Sequence, residues 1–370
     1  MPKRLVICCD GTWNTPDQAA EGRPCPTNVT KVALEVAEKG DGDWVQCVYY
    51  LRGVGTARGE RIRGGAFGVG LSRNVKEAYR TIVENYDEGD ELFFFGFSRG
   101  AFTARSTAGF VRNCGVLKRQ HASRVDEAYE LYRDRGAHPR GTESELFRRS
   151  YSHEPDITFI GVWDTVGALG IPVRGLGWLN KRWAFHDTKL SSKVKNAFQA
   201  LAIDEKRGPF RPTLWEPHDG DVHPPDQRLE QVWFCGVHCG VGGGYSDTSL
   251  SDIALLWMVQ RARECGLVFN QDAFAPLPSG DPPDDNRPRL SPKYDGELRE
   301  SRTGLYLASF KHHRRIGEGH ARTESVASTA VLRHQQLPSY RPKGLSAHLD
   351  RRGRQTDLDP DFKDRGFDCP

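Results

Sequence analysis

Short runs that are apolar on both faces alternate with stretches of helical spacing through the first two thirds of this chain. That alternation leaves few folds open. RLVICCD (4–10) reads as a strand, NVTKVALEVAEK (28–39) as a helix and WVQCVYYL (44–51) as the next strand. A glycine-rich stretch leads into a helix over about 72–86, DELFFFGF (90–97) is a third strand, and RGAFTARSTAGFVRNCG (99–115) is the helix behind it. DITFIGVWDTVG (156–167) and QVWFCGVH (231–238) are further apolar runs ending in polar residues. LSDIALLWMVQRARECG (250–266) reads as a helix with Ser251 or Asp252 as its cap and Gly266 as its stop. Strands separated by helices pair in parallel, and strands apolar on both faces need cover on both. The expectation is an α/β fold on a doubly wound, mostly parallel sheet with helices on both faces.

The pattern sets the expected organisation. Residues 1–265 form the sheet-bearing domain, with the aromatic, Pro- and Gly-rich segment 168–230 as an insertion over the site. Residues 266–300 are a loop, 301–345 pack back on the domain, and 346–370 are a mobile tail. A balance of 52 basic against 49 acidic residues argues against a nucleic-acid partner. No run reaches the ~18–20 apolar residues that span a bilayer, and the apolar run in MPKRLVICCDG is too short for a secretory signal. Nine cysteines without paired spacing fit a reduced, cytoplasmic protein, without excluding export that needs no cleaved signal. The oligomeric state is left open.

Gly96-Phe97-Ser98-Arg99-Gly100 carries the sharpest chemical signal: a G-x-S-x-G turn between a strand and a helix. Such a turn lifts the serine to the helix N-terminus, where free N–H groups and the dipole favour a developing oxyanion. The plain alternative is a tight turn with no chemistry. A serine nucleophile needs a base, and the base an orienting acid, in the chain order Ser, Asp, His for this kind of sheet. Asp164 ends the run TFIGVW and His238 the run QVWFCGV, so both fall in that order at the carboxyl edge where such sheets place their sites. Asp164 could instead cap the following turn, and His238 could be a buried histidine bonded to backbone.

Five blocks also resemble a known family: CDGTWN (9–14), GFSRGAFTAR (96–105), GVWDTVGALG (161–170), LAIDEKRGPFRPTLW (201–215) and GVHCGVGGGYSD (236–247). They look like the recurring blocks of an α/β-hydrolase family whose best-known members are the catalytic domains of type VI secretion phospholipase effectors. The resemblance covers about residues 3–262, with an echo at TESVASTAVLRHQQLPSYRP. It implies an esterase or lipase; the expected substrate is a lipid or phospholipid ester, with no cofactor and at most peripheral membrane contact. Ser98 would be the nucleophile, Asp164 the orienting acid and His238 the base. The oxyanion donors would be the N–H of Arg99 and that of Gly11 or Thr12. Two departures stand out: His238-Cys239-Gly240-Val241 replaces the usual His-Ser-Asp-Val, and Gln199 stands where a histidine is common. Asp204 therefore competes with Asp164, and a binding protein that keeps the fold without turnover is the second reading.

Weaker motifs have plainer explanations. Gly53 to Gly70 lacks phosphate-loop spacing. His218, Asp219, Asp221 and His223 sit close together in EPHDGDVHPPD, the basis of a third reading as a metal-dependent hydrolase, but a solvated loop is expected there. Cys235, His238 and Cys239 lack a distant fourth ligand for zinc. KHHRR (311–315) reads as a solvated basic cluster that could touch anionic head groups.

Overall fold

The computed structural model describes residues 1–352 except 13, 16, 18, 21–22, 54–65, 135, 137, 168–188, 217–225, 276–287, 289, 309 and 318–322. Seven strands form one parallel sheet among the described residues: β1 Lys3–Cys9, β2 Val45–Leu51, β3 Glu91–Phe97, β4 Ile157–Trp163, β5 Val194–Ala202, β6 Arg228–Phe234 and β7 Glu324–Val326. Their order is β7-β6-β5-β4-β3-β1-β2, which reverses direction between β1 and β3.

The period-2 alternation of strand side chains divides each apolar run between two cores. Leu5, Ile7, Leu92, Phe94, Ile160 and Val162 point to one face, and Val6, Cys8, Phe93, Phe95, Phe159 and Trp163 to the other. The first face is covered by α2 Ala66–Asn85, α3 Arg99–Cys114, α4 Val125–Arg133 and α5 Thr142–Tyr151. The second is covered by α1 Asn28–Glu35, α7 Ser249–Glu264 and α8 Ser328–Gln336. A short α6, His238–Gly242, precedes α7, and α9 spans Lys343–Arg352. This is a doubly wound α/β fold.

The structure corrects several boundaries. Helix α1 stops at Glu35 rather than 39, because Ala37 N–H bonds to Val268 and the Glu38 carbonyl accepts from Gln46 N–H of β2. Helix α2 starts at Ala66, so the last glycines of that stretch are helical; each costs only about 1 kcal/mol there. Thr248, not Ser251 or Asp252, is the N-cap of α7, because the helix begins at Ser249 and both residues lie inside its first turn, where Asp252 pairs with Lys31 at 2.6 Å. Segment 168–230 is no simple insertion: β5 runs through it as a central strand. VKNAFQALA is weak in β-branched residues, and its strand is imposed by pairing with β4 and β6 on either side. The tail expected from 346 begins inside α9; residues 353–370 lie outside the described residues, as do 168–188 of the expected insertion.

Register places the chemistry. Cys9 lies opposite Gly96, Phe97 opposite Trp163, and Trp163 opposite Ala200. The residues following β1, β3, β4 and β5 therefore emerge along one carboxyl rim, beside the point where strand order reverses.

Candidate active site

The turn from β3 into α3 is tight because two backbones meet there. A Cβ on Gly96 would lie 2.6 Å from Ala101 Cα and 2.7 Å from the Gly100 carbonyl oxygen, and one on Gly100 would overlap the carbonyls of Cys9 and Asp10. Glycine is required at both positions by close approach. Between them Ser98 takes φ 58° and ψ −117°, a conformation that costs a non-glycine residue on the order of 1–3 kcal/mol. Its N–H bonds to the Trp163 carbonyl at 3.0 Å, which helps fix the turn. The hydroxyl thus sits at the N-terminal end of a 16-residue helix, in its positive field.

Ser98, His238 and Asp164 form a continuous chain of hydrogen bonds. Ser98 Oγ lies 2.8 Å from His238 Nε2, and His238 Nδ1 lies 2.6 Å from Asp164 Oδ2. Phe97 and Phe210 pack against the imidazole with ring centroids 4.6 and 4.9 Å away. His238 does not end its strand as expected; it opens α6, four residues beyond β6, and its N–H donates to Glu205 at 3.2 Å.

Asp164 is fully buried and, like Ser98, has a positive φ, 42°. Its Oδ1 accepts from Ala202 N–H at 3.1 Å, and the guanidinium of Arg314 grips both of its oxygens. Burial alone pushes this carboxyl up, but the Arg314 charge and the His238 hydrogen bond together hold it well below the usual range. An ionised Asp164 only accepts, so Nδ1 carries the imidazole proton and the Nε2 lone pair faces Ser98. Burial pulls His238 below its ordinary 6.5, against the attraction of Asp164, and the neutral base form is favoured.

The loop after β1 lies against this group. A Cβ on Gly11 would be 3.4 Å from Ser98 Cβ. The Asp10 carboxylate organises the loop, accepting from Gly11 N–H (2.6 Å), Thr27 Oγ1 (2.7 Å), Thr30 Oγ1 (3.0 Å) and Tyr50 OH (2.5 Å). This corrects one expectation: the Gly11 N–H already has an acceptor, which leaves Thr12 as the donor candidate on this loop, beside Arg99 on α3. Thr12 Oγ1 is buried and has no hydrogen-bond partner among the described residues.

Asp204, the competing acid, does not reach the imidazole. It accepts from Gly236 N–H at 2.8 Å and Tyr340 OH at 2.9 Å, while both His238 ring nitrogens are taken by Ser98 and Asp164. Gln199, on β5, donates from Nε2 to the carbonyl of Thr213, which lies outside the sheet (3.2 Å). A Cβ on Gly240 would find only Val237 Cγ2, 3.9 Å away, so a side chain has room there, and the Ser98–His238–Asp164 hydrogen bonds are made without one. Burial pushes the Cys239 thiol up to about 12. Residues His218, Asp219, Asp221 and His223 lie outside the described residues; among the described ones no cluster of three His, Cys, Asp or Glu could hold a metal ion.

The KHHRR segment departs most from its sequence reading: Lys311, His313 and Arg315 are exposed, but Arg314 turns inward to Asp164. Glu205, which accepts from the His238 N–H, and Phe210, packed on its ring, also belong to the site without a local motif of their own. Both lie in the LAIDEKRGPFRPTLW block, and that block was the one available signal for them.

Residues 3–261 match the family described as the phospholipase effector Tle1-like catalytic domain of the type VI secretion system. An uncharacterised protein of Saccharomyces cerevisiae is 28% identical over 240 residues, which is 58% of this chain and 33% of the yeast protein; the chain thus spans about a third of that relative's length. Among solved structures, an uncharacterised Pseudomonas aeruginosa protein aligns with TM-score 0.43 and 18% identity over 73% of this chain and 47% of its own. The Tle1 effector bound to the VgrG spike of the type 6 secretion system aligns with TM-score 0.37 and 19% identity over 66% and 52%. A carboxylesterase described as putative, from Lactobacillus plantarum, gives 0.31 and 13% over 72% and 86%.

Proposed function

We propose, from the premise that the chain belongs to the Tle1-like family of type VI secretion phospholipase effector catalytic domains, that it is a serine hydrolase cleaving the carboxylic esters of lipids or phospholipids through an acyl-enzyme. The observation that carries this reading is the hydrogen-bonded chain Ser98–His238–Asp164 on a strained strand-to-helix turn.

In this reading Ser98 Oγ attacks the ester carbonyl as its proton passes to His238 Nε2, and Asp164 stabilises the imidazolium through Nδ1–H. The carbonyl oxygen gains charge between the N–H groups of Arg99 and Thr12. Loss of one such donor typically raises the barrier by about 3–4 kcal/mol. Collapse of the tetrahedral intermediate expels the alcohol, which takes its proton from His238. Water then enters on the same base, and its attack releases the fatty acid and restores Ser98. No described helix is long and apolar enough to cross a membrane, and the proposed encounter with lipid is peripheral.

The test is incubation with mixed phospholipid vesicles, followed by mass spectrometry of released fatty acid and lysophospholipid. Release by the wild type and none by Ser98→Ala is expected. Equal release by both ends the nucleophile assignment.

A further inference from the structure

We propose that Arg314 is a positioning residue of this site: it fixes the carboxylate that orients His238, and so makes the chain beyond residue 261 a required part of the active centre. The inference rests on the Ser98–His238–Asp164 reading.

The geometry is that of a built-in clamp. Arg314 is 3% exposed and Asp164 0%. Nη1 donates to Asp164 Oδ1 and, at 2.8 Å, to the Ala202 carbonyl; Nη2 donates to Asp164 Oδ2 at 3.0 Å and to the Phe210 carbonyl at 2.7 Å. The planar fork therefore ties together the ends of β4 and β5 and the turn that carries Phe210, whose ring lies against His238. A lysine offers a point charge and could not make all four bonds in that plane. The segment is held from behind: a Cβ on Gly344, at the start of α9, would overlap the Arg314 carbonyl, and Arg351 Nη2 bonds to the Ile316 carbonyl at 2.9 Å.

A cation is needed here because burial favours the neutral acid. A protonated Asp164 would offer a donor to Nδ1, the imidazole proton would move to Nε2, and Nε2 would lose the lone pair that takes the serine proton. Arg314 keeps Asp164 an acceptor and thereby fixes the useful tautomer. Among the described residues, the other charged or titratable groups around the imidazole are Glu205, which accepts from the His238 N–H, its ion-pair partner Arg207, and the Cys239 thiol. With Arg314 neutralised, the Asp164–His238 pair takes up a proton at higher pH.

Steady-state hydrolysis of p-nitrophenyl butyrate across a pH series tests this in the full chain. Arg314→Gln is expected to lower kcat about a hundredfold, the scale of a small misplacement of a reacting group, with KM little changed and the acid limb moved to higher pH. Arg314→Lys keeps the charge, so its acid limb stays in place while kcat recovers only in part. Added guanidinium restores activity to Arg314→Ala. Wild-type kcat and an unmoved limb in Arg314→Gln overturn the proposal, as does a loss that only follows the unfolded fraction. If Arg314→Gln does not fold, Arg314→Lys decides: reduced kcat with an unmoved limb supports the clamp, and wild-type kcat contradicts it. Ser98→Ala runs alongside; activity in that variant, or none in the wild type, defeats the nucleophile reading itself and this proposal with it.

Discussion

Two carboxylates stand at the ends of neighbouring strands, Asp164 after β4 and Asp204 after β5, and the fold gives them opposite characters. Both are buried, and burial alone pushes both upward. Asp164 meets a guanidinium and an imidazole and is held far below the usual carboxylate range. Asp204 bonds to an amide and a phenol, with Arg333 and Lys206 acting only from a distance, and is pushed up to about 6. Burial therefore does not decide which carboxylate stays ionised; the partner does. A carboxylate paired with a cation remains an ionised acceptor, whereas one among neutral donors steadies a loop. Asp204 does the latter, tying the Gly236 turn ahead of His238 to Tyr340.

Substitution at the two positions should separate them widely. Asp164→Asn is expected to lower kcat about 10⁴-fold, the cost of misorienting the base in a Ser–His–Asp site. Asp204→Asn should leave kcat for p-nitrophenyl butyrate within a fewfold of wild type. Comparable losses in the two variants would erase the distinction.

Stability should separate them in the opposite sense. Because Asp204 has a raised value, its neutral carboxyl stabilises the fold fully below the ordinary 3.8, and that contribution is lost as pH rises through about 6. The gap corresponds to about 3 kcal/mol at most. Urea titrations should show Asp204→Asn gaining on the wild type as pH rises from 4 to above 6. A constant difference across that window would mean that Asp204 is ionised throughout. The smallest effect lies in the pH–rate profile of the wild type. His238 sits below 6.5, so its acid limb in kcat/KM should fall below that value. A limb above 6.5 would show that the attraction of Asp164 outweighs burial.

The sequence made some of this legible and hid the rest for identifiable reasons. The runs at β1, β3 and β4 are apolar on both faces, and GFSRG lies at a strand–helix junction, so the sheet and its serine could be read locally. Asp164 and His238 followed from chain order, although His238 opens a helix four residues past its strand. Strand β5 is not legible in the sequence, because Lys195, Asn196, Gln199 and its alanines carry no strand preference of their own; its neighbours supply the reason to be extended. Arg314 was hidden in a basic run, where nothing local distinguishes the one side chain that turns inward. Gly11 was a candidate donor until the structure gave its N–H to Asp10, a contact invisible in the DGTWN motif. Patterns that repeat along the chain were readable. Partners brought together by the tertiary fold, such as Arg314 and Asp164, 150 residues apart, were not.

The central claim is that Ser98 is the activated nucleophile and His238 its base. Reaction with a fluorophosphonate, followed by mass spectrometry of the proteolysed chain, tests it most directly. The account predicts one phosphonyl adduct, on the peptide carrying Ser98, and almost none in His238→Ala. An adduct on another residue, or equally fast labelling of His238→Ala, would contradict it.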